Sequence, residues 1–293
     1  MRIAVTGGAG FIGSRLTESL LDEHEVVIID NLSSGRRENV PGRAELVETD
    51  IKKGLHLEDV DAVFHLAANP KVNTFPDDRE TDFDENLVGT KKVLEAAVEA
   101  DIESLVFASS SVVYGENAEI PTPESHEKEP ISMYGATKVG GEQMCRVYAH
   151  TFDFELSIVR LANIVGERNR KGVIYDFVNK LKEDPEELEI LGNGKQRKSY
   201  LHVDDTVEGI LAAWKNPGVY NIGNEDSTSV DEIADIVSEE MGLSPEYSYT
   251  GGEKGWTGDV PEMRLEIEKL KNTGWTPSIG SNEAVRKTVR ELL

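Results

Sequence analysis

The glycine-rich segment TGGAGFIG, Thr6–Gly13, constrains the fold more than any other part of this 293-residue sequence. It follows a short β-branched run and precedes a helix-length amphipathic stretch, the setting in which such glycines are informative. Gly8, Gly10 and Gly13 fit the general dinucleotide pattern, and Gly7, Gly10 and Gly13 give a spacing of three residues. Such glycines let a pyrophosphate approach the N–H groups of a helix N-terminus. We therefore predict a dinucleotide site; alternatively, the glycines only allow close packing of strand and helix.

An acidic residue lies where the adenosine ribose of such a cofactor would bind. Asp30 ends an apolar run seventeen residues after Gly13, near the offset of about 20 expected for a carboxylate that binds ribose hydroxyls. A carboxylate would repel a 2′-phosphate, so the sequence favours NAD over NADP. Arg36 and Arg37 complicate this preference, because either cation could compensate such a phosphate.

The first half of the chain alternates β-branched runs with amphipathic stretches, which indicates a parallel sheet with crossover helices. The predicted strands are Arg2–Thr6, Glu25–Asp30, Ala44–Thr49, Ala62–Leu66, Ser104–Ser109 and Leu156–Arg160. The predicted helices are Phe11–Leu21, Asn86–Ala100 and a helix from Ser132 past Tyr148, followed by Val173–Leu181, Asp204–Trp214, Val230–Met241 and Ser281–Leu293.

These patterns predict an α/β fold, namely a Rossmann-like doubly wound parallel sheet with a smaller α/β substrate-binding lobe. The strict alternation fades after residue 165, where the lobe is expected to begin. We assign residues 1–165 and 201–230 to a discontinuous NAD-binding domain, and residues 166–200 and 231–293 to the lobe.

Charge limits the possible partners. The chain contains 55 acidic and 31 basic residues, a formal net charge of −24. Such a charge should repel nucleic acid and anionic lipid, so neither is an expected partner. Either a salt-adapted host or an ordinary acidic protein of the cytosol fits this excess. A phosphate-bearing ligand must therefore bind at a locally basic site.

Cysteine content and hydropathy indicate a cytoplasmic protein. Cys145 is the only cysteine, which excludes a disulfide within the chain. Apolar runs such as Val26–Ile29 are far shorter than the roughly 20 residues that a membrane helix needs. No cluster has metal-ligand spacing, so we expect no metal. His65 and His202 adjoin apolar runs and are interpreted as structural.

Tyr134 and Lys138 are candidates for proton transfer. They lie four residues apart on a predicted helix, so their side chains leave the same face. A phenol with a reference pKa of about 10 is a poor base at neutral pH. A nearby ammonium and a cationic nicotinamide both favour the phenolate, which would make Tyr134 a usable general base.

Three segments together resemble one family. TGGAGFIG, the strand end SSSVVYG at Ser109–Gly115, and YGATK at Tyr134–Lys138 are similar to the extended short-chain dehydrogenase/reductases. Within that family the chain looks like the nucleotide-sugar epimerases of the UDP-glucose 4-epimerase kind. The resemblance runs from Arg2 to the closing segment GWTP at Gly274–Pro277.

The resemblance implies a set of cofactor contacts along the carboxyl edge of the sheet. The pair that flanks the adenine is matched here by Asp50 and Ile51, and Asn86 lies at a helix start beneath the cofactor. The whole implied NAD-binding set is Gly7, Gly10, Phe11, Ile12, Gly13, Asp30, Asn31, Ser34, Gly35, Asp50, Ile51, Leu66, Ala67, Ala68, Asn86, Ser109, Tyr134 and Lys138.

The resemblance also implies a catalytic hydroxyl and a reaction. Ser110 matches the serine that hydrogen-bonds the reacting sugar oxygen, with Ser109 and Ser111 as its alternatives. Related 4,6-dehydratases carry an Asp–Glu pair where this chain has Ser111 and Val112, and a related decarboxylase keeps a glutamate there. Valine cannot move a proton, so both reactions are disfavoured.

The implied activity is NAD-dependent epimerisation of a nucleotide sugar at carbon 4, of the UDP-glucose/UDP-galactose type, through a transient 4-keto sugar. Tyr134 would take the proton of the 4-hydroxyl, Ser110 would hold the reacting oxygen, and Lys138 would bind the nicotinamide ribose. A nucleotide-sugar reductase or 4,6-dehydratase, and a non-catalytic dinucleotide sensor, stay open as alternatives. The family commonly forms homodimers through two helices, here Asn86–Ala100 and Ser132–Tyr148.

The implied substrate contacts are Ser110, Ser111, Asn163, Val173, Lys198 and Asp259. Two of them depart from the usual pattern. Lys198 stands where the family usually has an arginine on the diphosphate, and Arg197 beside it could share that work. Asp259 closes the sequence WTGD, whereas relatives commonly have Arg-Pro-Gly-Asp. The sugar, the base and the way the diphosphate is held are therefore left open.

Overall fold

The computed structural model describes residues 1–69, 78, 80–116, 118–252 and 260–293. Their contacts divide the chain into two units. The first unit contains Met1–Gly115, Glu127–Arg160 and Val207–Tyr220. The second unit contains Glu116–His126, Leu161–Thr206 and Asn221–Leu293.

A parallel sheet carries the glycine-rich turn. Among the described residues it has seven strands in the order β11-β6-β5-β4-β1-β2-β3. β1 pairs in parallel with both β2 and β4, so the strand order reverses beside β1, the position where open α/β sheets bind ligands. The prediction of a Rossmann-like parallel sheet is confirmed. The strands are β1 (Arg2–Thr6), β2 (Glu25–Asp30), β3 (Glu45–Glu48), β4 (Ala62–His65), β5 (Ser104–Ser110), β6 (Glu155–Leu161) and β11 (Val219–Ile222).

Helices cover this sheet, and one of them begins earlier than its sequence predicts. The helices are α1 (Phe11–Leu20), α2 (Thr81–Phe83), α3 (Gly89–Glu99), α4 (Met133–Phe152) and α6 (Val203–Lys215). The predicted start at Asn86 is wrong, because helical backbone already begins at Thr81 and passes through a π-helical turn at Asp84–Val88. π-turns of this kind are frequent at functional sites. The turn places Asn86 in the interior, at 2% exposure.

The second unit packs its own helices around a separate core. α5 (Val173–Glu183), α7 (Val230–Met241) and α9 (Ser281–Leu292) bury residues such as Phe177, Val237 and Val285 against one another. A short helix, α8 (Glu268–Lys271), lies near the chain end. These helices confirm the predicted helices at 173–181, 230–241 and 281–293. Across the described part of the chain, no helix is both long and apolar enough to cross a bilayer.

Short strands complete the second unit, and the sequence predicts none of them. They form three small sheets with the orders β10-β7, β12-β9-β14 and β13-β8. Strands of two to four residues are too short to display a periodic pattern. They are β7 (Asn163–Val165), β8 (Glu187–Ile190), β9 (Arg197–Lys198), β10 (Tyr200–His202), β12 (Thr228–Ser229), β13 (Glu246–Tyr249) and β14 (Glu262–Met263).

Candidate active site

The turn between β1 and α1 has no room for a side chain at Gly7 or Gly13. Gly7 adopts a positive φ of 71°, and the Gly10 amide donates to the Gly7 carbonyl at 3.0 Å. A Cβ on Gly13 would lie 2.2 Å from that same carbonyl oxygen. The first turn of α1 holds no acidic residue and no side-chain cap. The first N–H groups of α1, from Phe11, Ile12 and Gly13, therefore form a cradle of the kind that binds a pyrophosphate.

The carboxylate at the end of β2 is held rigidly beside this turn. Asp30 is 7% exposed, and its two oxygens accept hydrogen bonds from the Ala9 amide at 3.0 Å and the Leu32 amide at 2.8 Å. A Cβ on Gly35 would lie 2.8 Å from both oxygens, so that residue is also required to be small. This geometry suits a carboxylate that binds ribose hydroxyls.

The two arginines that complicated the cofactor preference are paired with acids. Arg36 binds Glu38 at 3.0 Å, and Arg37 binds Glu48. Each guanidinium therefore already has an acidic partner on the surface, which weakens the case for a 2′-phosphate.

The other predicted cofactor residues of the first unit lie at the carboxyl edge of the sheet or beside it. Asp50 accepts from the Lys52 amide at 2.9 Å, and Ile51 is buried against Gly89. Asn86 donates to Thr137 at 3.0 Å, and its side-chain oxygen accepts from the Asn69 amide at 2.8 Å. Asn31 and Ser34 are exposed after β2, and Leu66, Ala67 and Ala68 are half-buried at the end of β4.

Ser110, Tyr134 and Lys138 come together where β5 ends and α4 begins. Ser110 is the last residue of β5, and the other two lie one turn apart in α4. The Lys138 ammonium donates to the Ala108 carbonyl at 2.8 Å and lies 5.7 Å from the centre of the Tyr134 ring. The hydroxyls of Ser110 and Tyr134 are hydrogen-bonded. The neighbouring Ser111, predicted as a substrate contact, is half-buried at the start of a 3₁₀ turn.

The protein's own groups do not make Tyr134 a base. Burial raises the pKa of Tyr134 to about 12, the Asp82 carboxylate adds to this rise, and the hydrogen bond from Ser110 opposes it. Burial also lowers the pKa of Lys138 to about 8. The prediction that Tyr134 acts as a base therefore depends on the cationic nicotinamide as well as on the ammonium, because burial of the phenol outweighs the hydrogen bond that favours its phenolate.

Asp82 is a site residue that sequence reasoning missed. It is fully buried, and Asn69 donates to one of its oxygens at 2.9 Å. Within the described residues, the second oxygen has no hydrogen-bond partner. Burial raises the pKa of the Asp82 carboxyl. No local pattern singles it out, since it is one of several acids in the segment DDRETDFDEN.

A second missed group is a buried ion pair between Glu142 on α4 and Arg160 on β6. Their closest atoms are 2.7 Å apart, and neither side chain is more than 1% exposed. Ser109 donates to Glu142 at 2.7 Å, so the hydroxyl predicted to contact the cofactor is engaged in the interior. The sequence did carry a signal, because Glu142 follows Lys138 by four residues and Arg160 interrupts an apolar strand.

The two histidines predicted to be structural are both buried and both contact polar side chains. His65 lies between the hydroxyls of Thr6 at 2.7 Å and Thr90 at 2.9 Å, and burial lowers its pKa to about 3. His202 is 2% exposed and lies 3.1 Å from a Glu291 oxygen.

The predicted substrate residues of the second unit lie on separate elements. Asn163, the first residue of β7, donates to the Ser199 carbonyl at 3.2 Å. Val173 is the first residue of α5. Lys198 is half-buried on β9, and Arg197 beside it binds Glu232 at 2.7 Å. Asp259 and the rest of WTGD lie outside the described residues.

Three features at the same sheet edge define the class of protein: a pyrophosphate cradle, a fixed acidic residue after β2 and a serine–tyrosine–lysine set. The class is that of the short-chain dehydrogenase/reductases, which use a dinucleotide for reversible oxidation. Comparisons with known proteins bear out this class and narrow it. The sequence matches the NAD dependent epimerase/dehydratase family over residues 3–223. The chain belongs to this family, and its cofactor is NAD.

Similar proteins include several nucleotide-sugar epimerases. A putative UDP-glucose 4-epimerase of Methanocaldococcus jannaschii is 36% identical, covering 98% of this chain and 97% of that protein. A UDP-galactose 4-epimerase of known crystal structure is 48% identical in sequence to this chain. The two structures match with a TM-score of 0.91, covering 100% of this chain and 98% of the other. The Thermus thermophilus UDP-glucose 4-epimerase, in complex with NAD, is 32% identical, with a TM-score of 0.89 over 100% and 99% of the two chains.

Relatives with another reaction are also similar. UDP-glucuronic acid decarboxylase 1 of Xenopus tropicalis is 30% identical, covering 98% of this chain and 71% of that protein. The chain is therefore an enzyme of the nucleotide-sugar epimerase family, and membership alone does not fix its substrate.

Proposed function

We propose that this enzyme interconverts UDP-glucose and UDP-galactose by epimerisation at carbon 4. The observation that carries the proposal is the meeting of Ser110, Tyr134 and Lys138 beside the glycine cradle. Bound NAD supplies a reversible hydride acceptor. Ser110 holds the 4-oxygen of the sugar, Tyr134 takes and returns its proton, and the transient 4-keto sugar is reduced again on its other face.

Lys138 has two roles in this mechanism. Its ammonium binds the nicotinamide ribose, and its charge favours the ionised form of Tyr134. The hydrogen bond from Ser110 also favours the phenolate. Because the reaction ends with the cofactor in its starting state, no net oxidant or reductant is required.

The residue after Ser111 favours epimerisation over the neighbouring reactions. Elimination of water needs an added acid and base near the hydroxyl, and Val112 has no group that moves a proton. Its amide donates to the Ser110 oxygen at 3.4 Å, which helps to hold that hydroxyl in place. A non-catalytic sensor has no need of Ser110, Tyr134 and Lys138 together.

Binding of the UDP moiety is assigned to the second unit. We assign the diphosphate to Asn163 and Lys198, with Val173 beside them and Asp259 as a further contact. Lysine is a point charge without the planar fork of arginine, so diphosphate binding here depends on charge more than on bidentate geometry. The printed names of several similar proteins include UDP-sugars, which supports this choice of nucleotide.

We also infer that two copies of the chain associate through α3 and α4. Val147 and Phe152 on α4 are 62% and 50% exposed, and Phe83, which precedes α3, is 52% exposed. Exposed apolar side chains of this size are often found where a protein binds a partner.

The proposal is tested with Tyr134→Phe and a panel of UDP-sugars. The wild type should convert UDP-glucose and UDP-galactose into each other without net NADH formation. Tyr134→Phe should lower kcat by about 100-fold to 10,000-fold, since general-base catalysis contributes this much, while NAD stays bound. Tyr148→Phe, on the same helix α4, is the matched control and should behave as the wild type.

Three outcomes contradict parts of this proposal. Wild-type turnover by Tyr134→Phe would remove that residue from the mechanism. Release of CO₂, loss of water or stoichiometric NADH would indicate another reaction. Epimerisation of another UDP-sugar alone would leave the chemistry intact and replace the substrate.

A further inference from the structure

Four buried side chains form one hydrogen-bonded network behind the catalytic residues. The Glu142 carboxylate accepts from the Arg160 Nε at 2.8 Å, from its Nη2 at 2.7 Å and from the Ser109 hydroxyl at 2.7 Å. Arg160 also donates from its Nη1 to the Tyr114 hydroxyl at 2.8 Å. None of the four residues is more than 3% exposed. The proposed reaction assigns a chemical step to none of them, and Ser109, which the resemblance places among the cofactor contacts, is bound to Glu142 instead.

The network holds the chain on both sides of the catalytic serine. Ser109 immediately precedes Ser110, and Tyr114 ends the 3₁₀ turn that follows it. Both are tied to Glu142, Ser109 directly and Tyr114 through Arg160. Glu142 lies on α4, one turn beyond Lys138 and two turns beyond Tyr134. One carboxylate therefore joins the segment that carries the serine to the helix that carries the tyrosine and lysine.

A buried ion pair is a costly way to fill this space. Taking two charges out of water carries a large penalty, and apolar residues of similar volume often serve stability as well or better. A planar guanidinium and a carboxylate do provide directional contacts, which fix the relative positions of the elements they join. Two of the contacts that lead from the pair reach Ser109 and Tyr114, which lie on either side of Ser110 in the sequence.

We propose that Glu142 and Arg160 are positioning residues, which set the distance of the Ser110 hydroxyl from Tyr134 and Lys138 through Ser109 and Tyr114. This inference rests on the proposed function, because it assumes that those three groups act on one substrate atom. Errors of about 1 Å in such an arrangement are enough to reduce turnover by about 100-fold.

The Glu142 carboxylate also acts on Lys138 through its charge. Burial lowers the pKa of Lys138, and charges on Cys145 and Glu142 oppose that effect. Because burial also raises the pKa of the Cys145 thiol, the charge that acts near neutral pH is the Glu142 carboxylate. Within the described residues, the titratable groups that interact with Lys138 include Tyr134, Glu142 and Cys145 on α4, and His65 on β4. His65 stays neutral, because burial lowers its pKa to about 3. Removing the Glu142 charge should therefore lower the pKa of Lys138 further, and the ammonium would be lost at a lower pH.

Two mild variants test the positioning role without breaking the ion pair. Ser109→Ala removes the hydrogen bond to Glu142, and Tyr114→Phe removes the hydrogen bond from Arg160. Each should lower kcat by about 10-fold while KM and NAD affinity stay near those of the wild type, because misplacement acts on the reacting atoms. Ser157→Ala is the matched control. Ser157 lies on β6, three residues before Arg160, and is 3% exposed, but its hydroxyl donates to the Ala213 carbonyl at 2.7 Å and not to a member of the network.

Two kinetic results would overturn the proposal. One is a wild-type kcat in both network variants. The other is an equal loss of kcat in Ser109→Ala and in Ser157→Ala, since that would indicate a general effect of removing any buried serine hydroxyl.

Glu142→Gln tests the network independently of turnover. We expect the Lys138 pKa, followed by NMR of labelled lysine and assigned with Lys138→Met, to fall from about 8. Glu240→Gln, which removes a carboxylate paired with Arg286 and Arg290 in the second unit, should leave it unchanged. An unchanged Lys138 pKa in a folded Glu142→Gln protein would remove the link to Lys138. If the wild type turns over no UDP-sugar, the proposed function fails, while this titration still reports on the network.

Discussion

Adding NAD⁺ to the purified protein should lower the pKa of the Tyr134 phenol. With a pKa of about 12, only about one Tyr134 in 100,000 is ionised at pH 7. A unit positive charge about 5 Å away, at an effective dielectric constant of about 20, stabilises the phenolate by about 3 kcal/mol. This energy corresponds to a fall of about 2 pKa units, to a pKa of about 10.

The oxidation state of the cofactor provides the control. The nicotinamide ring of NAD⁺ is cationic and that of NADH is neutral, whereas both cofactors fill the same volume and exclude the same water. NAD⁺ should therefore shift the titration of Tyr134 strongly, and NADH should shift it little or in the opposite direction, since further burial raises a phenol pKa.

The assay is a spectrophotometric titration of tyrosinate absorbance. Tyr134 is one of eight tyrosines, so its signal is taken as the difference between the wild type and Tyr134→Phe at each pH. With NAD⁺ this difference should appear by about pH 10, and with NADH it should be absent there. Identical curves with the two cofactors would refute the argument that the ring charge makes Tyr134 a base.

Two further predictions concern the cradle and the assembly. Gly13→Ala should abolish NAD binding, measured by calorimetry, because the new Cβ would lie 2.2 Å from the Gly7 carbonyl oxygen. Gly42→Ala is the control and should bind NAD normally, since the space around its Cβ is open. NAD binding by the Gly13 variant would contradict the proposed cradle. Val147→Glu should convert a dimer into monomers in sedimentation experiments. Leu191→Glu, at a 45% exposed position of the second unit, should leave the dimer intact. An unchanged assembly in both variants would exclude the proposed interface.

Local patterns were sufficient to predict six of the seven described strands of the sheet and the two motifs beside it, but not β11 at its edge. β1 and β2 have the predicted bounds, because an apolar run followed by glycines or an acid marks both the strand and its carboxyl end. The spacing of Tyr134 and Lys138 predicted their common face for the same reason, since it depends only on the helical period. Each of these inferences uses residues within one element or its neighbour.

Features that depend on contacts between distant parts of the chain were not predicted. The Glu142–Arg160 pair joins α4 to β6, and its burial is a property of the packed sheet rather than of either segment. The two-residue strand β9 exists because β12 and β14 flank it, not because of its own sequence. The π-helical turn at Asp84–Val88 contains Asn86, which donates to Thr137 on α4, a contact between elements that no local pattern predicts.

Burial has opposite consequences for the two halves of the proton-transfer pair. It raises the pKa of Tyr134 and lowers that of Lys138, so the buried site by itself favours a neutral phenol next to a lysine that loses its charge above a pH of about 8. Activity that depends on the phenolate should rise with pH, and activity that depends on the ammonium should fall as the pH passes through the pKa of Lys138. A cationic ring beside both groups stabilises the phenolate and disfavours the ammonium. The Glu142 carboxylate, one turn from Lys138, has the opposite effect and favours the ammonium. This buried acid therefore allows the Tyr134 phenolate and the Lys138 ammonium to be present in one site at the same time.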